Sequence, residues 1–148
     1  MPLGDLIGAE QVVVGLRVAD KAQLLQELAG RAAAALGLER RLIFEALQAR
    51  EALGSTGLGR GFALPHARLA GLNAPFVLFG RLARPIDFAA IDERKVDLVV
   101  LLLSPPDNGN QHLATLAALS RPLRDAGFLQ RLRQASDAPA LHALLVGA

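Results

Sequence analysis

The feature that most constrains the fold is a run of six aliphatic residues, LVVLLL, at Leu98–Leu103. The run is far too short to cross a lipid bilayer. It is typical of a strand buried on both faces, because a strand with one face in water alternates apolar and polar residues. We therefore expect a central strand over Lys95–Pro105, with helices packed on both sides of the sheet.

Short β-rich segments alternate with helical ones along the rest of the chain. The predicted strands are Gln11–Val18, Phe62–Leu64 and Pro75–Leu82. The predicted helices lie between Asp20 and Gly37, over Arg40–Ala52, from the DNGN segment after Pro106, and around Phe128–Arg133 and Asp137–Val146. Interleaved strands and helices define an α/β fold. A length of 148 residues, 52% of them hydrophobic, suits a single domain over residues 1–148.

The charge balance excludes some functions. Sixteen Lys and Arg against 14 Asp and Glu give a net charge of +2. So small an excess attracts polyanions weakly, and nucleic acid is not an expected ligand. The absence of cysteine excludes disulfide and thiolate chemistry. No signal peptide or membrane-spanning stretch is recognisable, so we expect a cytoplasmic protein that is not embedded in a membrane.

The segment GSTGLGRGFALPHAR, Gly54–Arg68, has four glycines in eight residues and then a Pro–His pair. Pro65 fixes its own φ and pushes Leu64 towards extended backbone. The chain is expected to leave the strand there in a defined direction and to present His66 at the strand end. Ligands of open α/β sheets commonly bind outside such ends. The alternative is an ordinary surface-loop histidine.

Two further residues stand out beside His66. His112 falls near the first turn of a predicted helix, where the helix dipole lowers the pKa of an imidazole and free N–H groups favour an anion. Taken alone, it is better explained as a solvated residue at the start of a helix. Arg50 shares a helical face with the apolar Leu47 and needs an anionic partner, a route to solvent, or pairing with Glu51. His142, in the last helix, is not expected to be functional.

The combination of these residues limits the chemistry. The G-x-G-x-G pattern at residues 57–61 lacks the following Lys-Ser or Lys-Thr of a P-loop, so nucleotide binding is not expected. Two histidines and an arginine make a poor metal site, because the guanidinium repels a cation. The same three groups suit a dianionic phosphoryl group.

Three segments carry a resemblance to a known family: REALGSTGLGRGFALPHARL, PIDFAAIDERKVDLVVLLLSPPD and QHLATLAALS. They resemble the enzyme IIA components of the bacterial phosphotransferase system, in the mannitol/fructose class and most of all its stand-alone nitrogen-regulatory branch. The resemblance covers about residues 3–145. It implies a mixed sheet flanked by helices, with His66 as the phosphorylated histidine and His112 and Arg50 as its companions. Ser55 and Thr56 are expected to fix the glycine turn or to contact phosphate.

The sequence departs from the family pattern at three positions. Arg60 stands where the family usually has asparagine, Ala67 where it usually has glycine, and Phe62 where an aliphatic residue is more common. We expect Arg60 to add positive charge beside the phosphoryl group and so to affect phosphate retention or partner choice. Apolar residues such as Leu58, Phe62 and Leu64 are expected to form the docking face.

The resemblance implies a phosphotransferase component that works without metal or other cofactor. It would accept a phosphoryl group on His66 from an HPr-like histidine phosphocarrier protein. It would bind regulatory targets, such as sensor kinases or potassium transport proteins, according to its phosphorylation state. Two alternatives are a sugar-specific enzyme IIA that passes phosphate to a transporter IIB domain, and a non-catalytic interaction module. With no transporter domain in the 148 residues, regulation is the expected role.

Overall fold

The computed structural model describes residues 3–106 and 109–148. Six strands form one mixed sheet in the order β1-β5-β6-β3-β2, with β4 also paired to β6. The strands are β1 (Val12–Leu16), β2 (Gly57–Gly59), β3 (Phe62–Ala63), β4 (His66–Arg68), β5 (Phe76–Ile86) and β6 (Val96–Ser104). β6 runs parallel to β3 and β4 and antiparallel to β5. The predicted α/β class is confirmed.

Strand β6 is buried on both faces, as its sequence predicts. Its side chains alternate between two apolar clusters, one with Val99, Leu101 and Leu103 and the other with Leu98, Val100 and Leu102. The first cluster packs under helices α1 (Lys21–Leu36) and α2 (Arg40–Ala52). The second packs under α3 (Gly109–Ser120), α4 (Ala126–Gln134) and α5 (Ala138–Val146). The sheet is therefore the middle layer of three.

The helix boundaries follow local signals in the sequence. Helix α1 begins after Asp20, whose side chain accepts a hydrogen bond from the Gln23 backbone N–H at 2.8 Å. It ends at Gly37, which adopts the left-handed conformation (φ +68°). The predicted limits of α2 match the structure. Asp107 and Asn108, part of the predicted start of α3, lie outside the described residues. Within the described part of the chain, no helix has the length and apolarity to cross a membrane.

The structure differs from the predictions most around Pro65. We expected the chain to leave the sheet there, and this is wrong. Phe62 lies opposite Leu98 in β3 and His66 lies opposite Leu102 in β4, so the register is the same on both sides of Pro65. Proline has no N–H, but its carbonyl still accepts a hydrogen bond from the Leu102 N–H at 3.0 Å. His66 therefore lies in the sheet and not on a loop.

Candidate active site

The His66 side chain has two hydrogen bonds that define its protonation. Its Nδ1 lies 2.8 Å from the Leu64 carbonyl oxygen, and a carbonyl can only accept, so Nδ1 carries the proton. The Nε–H of Arg50 donates to Nε2 of His66 at 3.2 Å, which requires a lone pair on Nε2. Both contacts describe a neutral imidazole whose nucleophilic nitrogen is Nε2.

Arg50 reaches His66 from the last turn of α2. The side chain is half-buried, and its Nη1 donates to the Gly54 carbonyl at 3.0 Å. The suggested pairing with Glu51 is not what the structure shows. Glu51 instead accepts hydrogen bonds from the backbone N–H and hydroxyl of Thr56 and forms an ion pair with Lys21, whose Nζ lies 2.8 Å away. The Arg50 guanidinium therefore donates hydrogen bonds to an imidazole and to a carbonyl, and it lies beside unfilled space.

His112 is brought next to His66 by the packing of α3 on the sheet. It is 7% exposed, and the centroids of the two imidazole rings are 5.6 Å apart. Its Nδ1 lies 2.7 Å from the hydroxyl oxygen of Ser104 at the end of β6. Two histidines that are 46 positions apart in the sequence thus share one site.

Burial shifts the proton affinity of both histidines in the same direction. Loss of solvent lowers the pKa of His66, and the Arg50 charge adds to this effect, while the hydrogen bond to Leu64 opposes it. Burial is also the main cause of the lowered pKa of His112, followed by the repulsion that a protonated His66 would exert and by the positive charge of Arg68. The predicted direction for His112 is confirmed, but its main cause is desolvation and not the helix dipole.

Two cavities open on His66 and Arg50. The smaller, of about 210 Å³, is lined by Arg50, Ser55, Thr56, Leu58, Leu64, His66, Leu116, Ala117 and Ser120. The larger, of about 450 Å³, is lined by Ala46, Ala49, Arg50, Leu53, His66, Ala67, Arg68 and His112. The three predicted central residues therefore meet at one accessible place. Among residues 3–106 and 109–148, no three histidine, aspartate or glutamate side chains are placed to hold a metal ion.

Ser55 and Thr56 hold the glycine-rich segment in shape. The Ser55 hydroxyl donates to the Phe88 carbonyl at 3.0 Å and accepts from the Gly57 N–H at 3.1 Å. The Thr56 hydroxyl donates to Glu51, and Thr56 is 2% exposed. Both residues line the smaller cavity, but their hydroxyl groups already have protein partners.

Arg60 points away from the two histidines. Its Nη1 donates to the Arg124 carbonyl, and its side chain lines a neighbouring cavity of about 260 Å³. Neither of the cavities on His66 includes Arg60. The residue adopts the left-handed conformation with φ +57°. Asparagine, the residue that the resemblance led us to expect here, tolerates this region better than arginine does.

The expected docking face is wrong for two of its three residues. Phe62 and Leu64 are each 3% exposed, because both belong to the apolar cluster under α3–α5. Leu58 is 47% exposed, as expected. Sequence reasoning missed Leu53, which is 84% exposed and lines the larger cavity together with Arg50 and His112.

A three-layer α/β domain with two adjoining imidazoles and a guanidinium is the arrangement that the resemblance to enzyme IIA domains led us to expect. The family model for the phosphoenolpyruvate-dependent sugar phosphotransferase system, EIIA 2, matches residues 5–147. The chain therefore belongs to this family of phosphotransferase-system components.

Individual relatives agree with this assignment. A nitrogen regulatory protein of Bradyrhizobium diazoefficiens is 46% identical over 145 residues, which cover 98% of this chain and 95% of that protein. The crystal structure of nitrogen regulatory protein IIA-Ntr from Neisseria meningitidis has a TM-score of 0.91 at 33% identity, covering 97% of this chain and 98% of that one. The mannitol IIA of Escherichia coli shares the fold, with a TM-score of 0.77 at 24% identity over 94% of this chain and 98% of that one.

Proposed function

We propose that the chain accepts a phosphoryl group on Nε2 of His66 from the phosphohistidine of an HPr-like histidine phosphocarrier protein. The observation that carries the proposal is the pair of hydrogen bonds on the imidazole. The Leu64 carbonyl occupies the Nδ1–H, so the lone pair on Nε2 is the one available to react. Burial keeps the ring neutral by lowering its pKa, and a neutral ring is the nucleophilic form.

The reaction is an exchange of one P–N bond for another. The Nε2 lone pair attacks phosphorus in line, and the bonding pair of the old P–N bond returns to the donor imidazole. The transition state is loose, so the protein contributes mainly position and charge stabilisation. Positive charge develops on the His66 ring, and the hydrogen bond from Nδ1–H to the Leu64 carbonyl stabilises that charge.

Arg50 and His112 stabilise the phosphoryl oxygens in this proposal. The Arg50 Nε–H donates to Nε2 in the free protein and is released when that nitrogen bonds to phosphorus. It can then donate a charge-assisted hydrogen bond to a phosphoryl oxygen. His112 lines the larger cavity beside His66, and a ring N–H that faces this cavity can donate to a second oxygen.

The test is phosphorylation by a phosphorylated HPr-like carrier. We expect one acid-labile, alkali-stable phosphate per chain, and a phosphorus NMR signal of a histidine modified at Nε2. His66→Ala should abolish the uptake. His142→Ala is the matched control, since that histidine hydrogen-bonds to the Ile7 carbonyl at 2.9 Å at another end of the molecule. Full uptake by His66→Ala would refute the assignment.

The regulatory role concerns what the modification changes. Phosphorylation adds roughly 1.5 to 2 negative charges. These charges enter the two cavities on His66, whose linings include the exposed Leu53 and Leu58. We propose that a target, such as a sensor kinase or a potassium transport protein, binds the surface around these cavities in the unmodified state and is released by the charge. The similarity to proteins named nitrogen regulatory proteins supports this role.

Binding measured by calorimetry tests the regulatory role against its alternatives. His66→Ala should retain a target that prefers the unmodified form, and His66→Asp should weaken its binding. Equal affinities for the two variants would favour an interaction module that does not sense phosphorylation. Rapid phosphate transfer from His66 to a sugar transporter IIB domain would favour a sugar-specific enzyme IIA.

A further inference from the structure

We propose that Ser104 is a positioning residue that selects the tautomer of His112. It thereby makes Nε2 of His112 a hydrogen-bond donor in the cleft. The tautomer itself is independent of any phosphorylation. Its effect on phosphoryl transfer rests on the proposed function of His66.

The backbone at Ser104 is held firmly at the end of the central strand. Ser104 is opposite Arg68 in the parallel β4–β6 ladder, and its carbonyl accepts a hydrogen bond from the Leu69 N–H at 2.8 Å. The residue is 1% exposed. The hydroxyl oxygen lies 2.7 Å from Nδ1 of His112, a normal distance for a strong hydrogen bond. A rigid strand therefore fixes where the hydroxyl lies.

Burial decides the direction of this hydrogen bond. His112 is neutral because burial lowers its pKa, so it carries a single ring proton. If Nδ1 held that proton, the ring would donate to Ser104, and the hydroxyl hydrogen of Ser104 would need another acceptor. Within the described residues, Nδ1 of His112 is the only hydrogen-bond partner of this hydroxyl. Leaving a buried donor without an acceptor is unfavourable, so the serine donates to Nδ1.

The consequence appears at the other ring nitrogen. With Nδ1 accepting, the proton of His112 lies on Nε2, and His112 lines the larger cavity together with His66 and Arg50. A phosphoryl group on His66 presents only acceptor oxygens. An Nε2–H stabilises such an oxygen, whereas the lone pair of the other tautomer would repel it. Ser104 thus acts on the site through His112 without contacting the phosphoryl group.

The first test measures the tautomer in the unmodified protein by nitrogen-15 NMR of the histidine rings. We expect an unprotonated Nδ1 and a protonated Nε2 for His112. Ser104→Thr and Ser104→Val form a matched pair, because threonine and valine share a shape and differ in the hydroxyl. Ser104→Thr should keep the wild-type signals, and Ser104→Val should show both tautomers. A protonated Nδ1 in the wild type, or identical spectra for the pair, would overturn the proposal.

The second test measures the rate of phosphoryl transfer from the phosphorylated carrier. In Ser104→Val, the hydrogen bond that favours the Nε2–H tautomer of His112 is lost. This loss should slow phosphoryl transfer by up to about tenfold. We expect this loss in kcat with an unchanged KM, and a rate within about twofold of wild type in Ser104→Thr. Equal rates for the two variants would refute the functional part even if the tautomer changes. If neither the wild type nor either variant is phosphorylated, the proposed function is wrong. The NMR spectra still test the tautomer of His112 in that case.

Discussion

Two half-buried arginines in different regions of the molecule, Arg50 and Arg81, differ in the hydrogen-bond partners of their guanidinium groups. Arg50 lies beside the two histidines of the candidate site, His66 and His112. Arg81 lies in β5, and its Nη1 reaches the C-terminal end of α4. The carbonyl oxygens that accept from Arg81 belong to Leu132 at 3.0 Å, Arg133 at 3.3 Å and Ala135 at 2.7 Å.

The two arginines differ in how much of each guanidinium is left to bind a ligand. The last carbonyls of a helix lack intrahelical partners, and a cation there satisfies them and interacts well with the helix dipole. Nη1 of Arg81 is therefore bound to the end of α4. Arg50 donates to one carbonyl and to an imidazole nitrogen, and it lines two cavities. An arginine whose side chain lines an open cavity is a candidate for binding an anion, whereas one whose N–H groups hold a helix end serves the fold.

The largest effect should come from Arg50→Met. We expect phosphoryl transfer to His66 to slow by about 10²–10³-fold, since one charged donor to the transition state is lost. Arg50→Lys should recover only part of the rate, because an ammonium lacks the planar fork of a guanidinium. Rapid-quench kinetics with the phosphorylated carrier gives the rates. A slowdown of similar size in Arg81→Met would remove the contrast between the two arginines.

The second effect concerns stability and should come from Arg81→Met. Loss of hydrogen bonds from a charged group to the end of α4 should lower the free energy of unfolding by about 1.5–3 kcal/mol. Urea unfolding followed by circular dichroism measures the change. The phosphoryl-transfer rate of the folded variant should match that of the wild type. If Arg81→Met is as stable as the wild type, the three carbonyl contacts contribute nothing, and the interpretation of Arg81 is wrong.

A smaller effect should appear in the pH dependence of stability. The folded-state pKa values of His66 and His112 are lowered, so the unfolded chain binds more protons in the window below its own histidine pKa of about 6.5. Stability should therefore fall as the pH drops from about 6.5 towards the lowered values. The double variant His66→Gln/His112→Gln should show a flatter decline between pH 7 and pH 5 in urea unfolding. Arg81→Met should keep the wild-type slope; equal slopes in all three proteins would contradict the lowered pKa values.

The smallest effect should come from Arg60→Asn, in the turn between β2 and β3. Relief of the left-handed strain should raise the free energy of unfolding by at most about 1 kcal/mol. The lost contact with the Arg124 carbonyl is exposed and offsets part of the gain. Thermal unfolding measures the difference. Because Arg60 lines neither cavity on His66, the rate of phosphate uptake should not change, and a clear loss of rate would place Arg60 in the site after all.

Local signals in the sequence were enough for β6 and α2. A six-residue aliphatic run is typical of a buried strand. In α2, apolar residues recur at helical spacing until shortly before Gly54. Residue chemistry marked His66, His112 and Arg50 as a set suited to a phosphoryl group, but only the resemblance placed them in one site, since no spacing rule joins residues from a strand and two helices. The burial of Phe62 and Leu64 was missed because the face on which a short strand packs depends on its neighbours. The direction of the Arg60 side chain depends on a carbonyl 64 positions away.

The parallel pairing of β4 with β6 also sets how still His66 can be held. Amide hydrogen bonds join this segment to β6 at Pro65, the residue before His66, and at Leu69, three residues after it. Both lie in the sheet, between the two apolar clusters, and hydrogen bonds of buried core strands generally open only when much of a domain unfolds. A histidine on a flexible loop would move when a carrier protein binds. His66 is instead held in the sheet, so under the proposed function a carrier protein would meet an imidazole whose position is already set.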